Sequence, residues 1–208
     1  YTTLTNAGLI ETIGSGSTLS LSGGTVINQS GAVLGGGGTI TLGAVEFRIE
    51  DSYVVAASLA AMNLNSATVT GTGTFINEST LNLNVVSTFG STVSLVNRGQ
   101  LQVAGSVIGT RVTIGGPFTN EAGATVLVKS ESTSYSGNSV SLTVTAGLTN
   151  AGVLNLASEG SRPGSVSLNM SSGVLVNTGT INSLAHVGTD RGYRYVYAAE
   201  VDNGGVIN

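Results

Sequence analysis

A short phrase, apolar–x–Asn–x–Gly–x–apolar, returns along this chain at a spacing that only a stacked repeat explains. It reads Leu4-Thr5-Asn6-Ala7-Gly8-Leu9-Ile10 near the start and Leu95-Val96-Asn97-Arg98-Gly99-Gln100-Leu101 in the middle. The stretches from Leu148 to Leu154, Leu175 to Ile181 and Val201 to Ile207 repeat it with unchanged spacing. Copies at Asn28 and Asn120 carry one extra residue before the Gly, and a looser copy at Asn77 lacks the Gly.

The phrase defines a series: Asn6, Asn28, Asn77, Asn97, Asn120, Asn150, Asn177 and Asn203. Most steps lie between 20 and 30 residues, but Asn28 and Asn77 are 49 apart, which reads as two coils. Within that gap, Ile49-Glu50-Asp51-Ser52-Tyr53-Val54-Val55 fits the frame with Asp for Asn, so Asp51 is expected to supply the missing rung. The mean step is then about 25 residues, inside the range of solenoid repeats.

A coil must bend sharply between strands, where Gly and Asn tolerate backbone conformations closed to other residues. A carboxamide carries both donor and acceptor, so Asn residues stacked at the strand spacing of about 4.8 Å can form a hydrogen-bonded ladder. Gly24, Gly73, Gly116 and Gly173 punctuate their coils four residues before the Asn. Between these marks, pairs such as Val126/Val128, Leu142/Val144, Leu154/Leu156 and Val166/Leu168 alternate with period two. No stretch has helical periodicity. The expected fold is all-β, a right-handed parallel β-helix of about nine coils filling residues 1–208.

Composition excludes several functions. Only 9% of residues are charged, yet 40% are apolar, with 31 Gly against 2 Pro, so a core can form where a disordered linker could not. A net charge of −4 provides no basic stripe for nucleic acid, and no apolar run is long enough to span a membrane as a helix. The absence of Cys removes disulfides and thiolate metal sites, and no cofactor motif occurs. Low charge with abundant Thr and Asn suits an extracellular or cell-surface protein.

The Asn–Gly phrase resembles the repeats of bacterial filamentous-haemagglutinin-like and autotransporter-passenger proteins, along essentially the whole chain. The resemblance implies a right-handed β-helix on a bacterial surface and a structural or adhesive role. The coil length here, from 20 to 30 residues, is less regular than in such arrays.

Three stretches depart from the repeat. In Ala44 to Ala61, Val45, Phe47 and Ile49 alternate with Glu46, Arg48 and Glu50, as in a strand with a solvated face of paired charges. The polar run Ser130 to Ser139 reads as a surface loop, and Gly35 to Gly38 as a flexible turn. Leu184 to Ala199 gathers His186, Asp190, Arg191, Tyr193, Arg194, Tyr195 and Tyr197. Tyr193, Tyr195 and Tyr197 should share one face of a strand, and with Arg194 they form the candidate contact for surface glycans or proteins.

No catalytic constellation is expected. Polysaccharide-cleaving enzymes need clustered carboxylates, whereas Glu78 and Glu121 each follow a series Asn and lie two coils apart. Rows of Thr-x-Thr, as in Thr39/Thr41 and Thr143/Thr145, do not recur in one frame relative to the Asn series. The repeat is under way at Leu4 and still running at Ile207, so uncapped ends are expected. Such ends suit an excerpt of a longer array or a subunit that stacks into a filament.

Overall fold

A computed structural model describes residues 2–105, 109–131, 138–159, 164–184 and 192–208. The described residues form 27 strands and no helix. The chain winds as a parallel β-solenoid whose coils each contribute three strands, one to each of three faces. The first and third faces are nine strands deep, which gives the nine coils expected from the sequence. The second face is split into a two-strand and a seven-strand sheet, with the break between strands Val33–Gly36 and Tyr53–Val55.

Period-two alternation becomes three inward columns of apolar side chains. On the first face Val26, Phe47, Val69, Phe89, Ile114 and Val144 stack in register. On the second, Tyr53, Phe75, Leu95, Phe118, Leu148 and Leu175 do so. The third repeats the pattern from Ile40 through Met62, Leu81, Leu101, Val126 and Leu154. All these side chains are buried. Full burial of one such side chain contributes roughly 1.5–3 kcal/mol, realised only because neighbouring coils supply the contacts. Phe47, Tyr53, Phe75 and Phe89 add a cluster of mostly edge-to-face aromatic contacts in coils three to five, with Phe47–Tyr53 centroids 4.9 Å apart.

The Asn series is two ladders on different corners. Asn6 and Asn28 end first-face strands, whereas Asn77 through Asn203 end second-face strands. Following the register from Asn28, the next two coils place Ile49 and then Gly71 at its corner. Asn77 comes one corner later on the same coil as Gly71, and its neighbour in the preceding coil is Val55. The 49-residue gap therefore holds two coils plus one face. Asp51 is not a rung: it lies exposed in the bend before Tyr53, where the Ser30 hydroxyl donates to its Oδ2 at 3.1 Å. Spacing counts the residues of the gap correctly but does not reveal that the Asn changes corner within it.

Close approach explains two glycines. A Cβ on Gly73 would overlap the carbonyl oxygen of Asp51 in the coil below. Gly36 has φ +120, and its Cβ would overlap the carbonyl oxygen of Thr12. Gly35 and Gly36 thus belong to a strand, not to the flexible turn expected from the four-glycine run.

The third corner, leading back to the first face, lies outside the Asn–Gly phrase. Gly23, Ala44, Ser66 and Val85 occupy it in successive coils with φ between 50 and 70, a left-handed turn of one residue except at Gly23, where Gly24 joins it. In the sixth and seventh coils the third-face strands run on past this corner. They lengthen from five residues in Thr80–Asn84 to seven in Thr125–Glu131 and Val153–Glu159. The returning strands Asn138–Val144 and Gly164–Met170 are equally long. A fin therefore projects here, and Ser130, Asn138 and Ser158 are buried inside it. The polar run expected to be a loop is thus strand at both edges, with residues 132–137 outside the described set.

Candidate functional site

The corner ladder is buried and directional. Each Asn gives its Nδ2–H to the Oδ1 of the next coil: Asn77 to Asn97 and Asn97 to Asn120 at 2.8 Å, then Asn120 to Asn150, Asn150 to Asn177 and Asn177 to Asn203 at 2.7 Å. The second amide hydrogen reaches a backbone carbonyl of that same next coil, as from Asn97 to Thr125 at 3.0 Å. Asn6 donates to Asn28 at 2.9 Å in the separate short ladder. Asn77, Asn97, Asn120, Asn150 and Asn177 are fully buried with these groups spent on one another, so they hold the corner and offer nothing to a ligand.

Outside the ladder runs a charged ridge. Glu78, Arg98 and Glu121 follow consecutive ladder residues, and Arg98 bridges both carboxylates, at 3.3 Å to Glu78 and 3.1 Å to Glu121. The Glu121 hydrogen bond first, then that of Glu78, raises the Arg98 pKa. The two carboxylates flank one cation, an arrangement that occupies them rather than leaving an acid–base pair. In the strand Glu46–Ile49, Glu46 accepts from Thr25 at 3.4 Å and Thr70 at 3.0 Å, hydroxyls rather than the charge partners expected.

The aromatic stretch is as regular as the sequence suggests. Tyr193, Tyr195 and Tyr197 project outward from the first face of the last coil as a stack, with centroids 5.9 and 5.4 Å apart and planes within 21°. Their exposures are 63%, 37% and 55%. Alternation sends Arg194 the other way: it stands in register with the buried Val166, and its Nη1 donates to the Gly192 carbonyl at 2.9 Å. Its Nε and Nη2 are buried without a hydrogen-bond partner among the described residues. Arg194 is therefore removed from the outward contact set. His186, Asp190 and Arg191 lie outside the described residues.

A second surface is absent from the sequence-based candidates. On the third face, Asn63, Asn82, Gln102, Leu127, Asn155 and Asn182 stand in register in one outward row. Asn82 donates to Asn63 at 2.8 Å and Asn182 to Asn155 at 2.9 Å, towards the preceding coil and so opposite in sense to the corner ladder. Beside this row Asn84 donates to Asn65 at 2.9 Å. The signal that could have found it lies in Met62-Asn63-Leu64-Asn65 and Leu81-Asn82-Leu83-Asn84, where Asn alternates with core residues.

The outer row breaks at Gln102 and Leu127. The Gln102 carboxamide makes no hydrogen bond among the described residues, and two hollows meet over it. One, of about 320 Å³, is lined by Asn82, Asn84, Val85, Gln102, Thr110 and Glu131 at the foot of the fin. The other, of about 130 Å³, lies between Gln100, Gln102, Thr125, Leu127 and Asn155. Lys129 sits on the fin wall, 2.5 Å from Glu131 and 3.6 Å from Glu159. Burial alone would lower its pKa, but the Glu131 hydrogen bond and the two carboxylates outweigh that and raise it.

Among the described residues no group of three His, Cys, Asp or Glu side chains could hold a metal ion. Comparison with protein-family models, with curated proteins and with solved structures finds no match to this chain.

Proposed function

We propose that the chain is a non-enzymatic, structural and adhesive segment of a secreted or surface-anchored bacterial fibre, of the filamentous-haemagglutinin or autotransporter-passenger kind. The observation that carries the adhesive reading is the stacked row of Tyr193, Tyr195 and Tyr197, exposed on a strand of a regular solenoid. Exposed aromatic rows combine apolar area with phenolic hydroxyls and lose little side-chain entropy on binding, which suits glycans and proteins alike. The structural reading is supported by buried ladders and columns that couple each coil to the next. The low charge and absence of Cys support an extracellular setting.

The test is binding of the purified chain to arrays of host and microbial surface glycans and matrix proteins, beside a Tyr195→Ala, Tyr197→Ala variant. The expected result is a captured ligand whose affinity falls about tenfold or more in the variant. Unchanged binding would remove the tyrosines from the adhesive role. Release of fragments from polysaccharides by the wild-type chain would overturn the non-enzymatic reading.

A further inference from the structure

We propose that the third-face groove over Gln102 binds a neutral polysaccharide chain. This site is separate from the tyrosine row and does not depend on it. The two hollows share Gln102 and together cross four coils, from Asn82 and Asn84 to Asn155. At the strand spacing of about 4.8 Å that is a track about 15 Å long, which suits an extended chain better than a single sugar ring.

The chemistry of the lining selects the ligand. Carboxamides offer a donor and an acceptor side by side, which matches adjacent hydroxyls on a sugar. Outward amides of this row are spent on their ladder neighbours at Asn82 and Asn182, whereas that of Gln102 has no partner among the described residues. In the lining of the first hollow the Thr110 hydroxyl, 1% exposed, also lacks a partner among the described residues. Val85 and Leu127 provide apolar contacts at either side for the C–H face of a sugar. Among the described residues, the charges on the fin wall beside the groove are one ammonium against two carboxylates, with Lys129 held by both. That cation is already neutralised, so electrostatics favours a neutral chain over an anionic one.

Affinity electrophoresis in native gels tests this directly. The gels contain xyloglucan, galactomannan or mixed-linkage β-glucan as neutral polymers, and polygalacturonate or alginate as anionic ones. The wild-type chain should be retarded by at least one neutral polymer and by neither anionic polymer. Gln102→Ala, which removes a carboxamide with no described bond to the fold, should weaken that retardation about tenfold, and Leu127→Ser should weaken it too. The Tyr195→Ala, Tyr197→Ala variant should migrate as wild type. Absence of retardation in every neutral gel overturns the proposal. Retardation that survives both groove variants, that is lost only in the tyrosine variant, or that occurs only with anionic polymers overturns it as well. Loss in the tyrosine variant alone would leave the adhesive reading standing on the tyrosines.

Discussion

Asn28 and Ile49 stand in register at the same corner of adjacent coils, and at that pairing the short amide ladder stops. With no carboxamide above it, Asn28 turns its Nδ2 to the carbonyl of Ala32 in its own coil, at 2.9 Å. The second face breaks at the same level. The upper edge of Val33–Gly36 then lacks a strand neighbour, and Tyr53 reaches across the seam to donate its hydroxyl to the Leu34 carbonyl at 2.7 Å. Side chains thus replace a strand where the solenoid moves its Asn corner from one edge to the next.

Asn120 and Asp51 should behave differently although both fit the sequence frame. Asn120→Ala leaves the Oδ1 of Asn150 without its donor and removes the acceptor of Asn97 inside a fully buried corner. It should cost about 2–4 kcal/mol in urea unfolding. Asp51→Ala loses one exposed contact to Ser30 and should stay within about 0.5 kcal/mol of wild type. Equal losses would return Asp51 to the ladder.

Tyr53→Phe tests the seam. The Leu34 carbonyl would lose its partner, at a cost of roughly 1–3 kcal/mol. Burial pushes the Tyr53 pKa well above its ordinary value of 10.0. Above that pH the unfolded chain gives up the phenolic proton while the folded chain keeps it, so stability falls as pH rises. The slope should approach about 1.4 kcal/mol per pH unit above roughly pH 10 and be shallower in Tyr53→Phe. Parallel pH profiles of wild type and variant would contradict a buried phenol.

Val85 is a β-branched residue at φ 59, a conformation that glycine adopts without steric cost. Replacing it with Gly should raise stability by up to about 1 kcal/mol, measured by thermal or urea unfolding. A clear loss would mean that side-chain contacts at this corner outweigh its backbone strain.

The solenoid is legible in the sequence because its core columns and Asn turns obey fixed local periods, as Val126/Val128 and Leu142/Val144 do. The corner switch is not, since Asn28 and Asn77 look alike in sequence and differ only in which face their strand joins. The left-handed turn puts its positive φ on Ala44, Ser66 and Val85, none of them Gly or Asn, although Gly43, Asn65 and Asn84 directly precede them. Alternation places Tyr193, Tyr195 and Tyr197 together correctly, and the same rule turns Arg194 inward. The groove at Gln102 depends on register across coils and on the longer strands of the fin, which spacing within one coil does not reveal.

Hydrogen exchange of side-chain carboxamides, followed by NMR on the intact chain, tests the ladder most directly. Slow exchange is predicted for Asn97, Asn120 and Asn150, each bonded to both neighbouring rungs, and fast exchange for Gln102. Fast exchange at the three asparagines, matching Gln102, would contradict the stacked corner on which the whole solenoid reading rests.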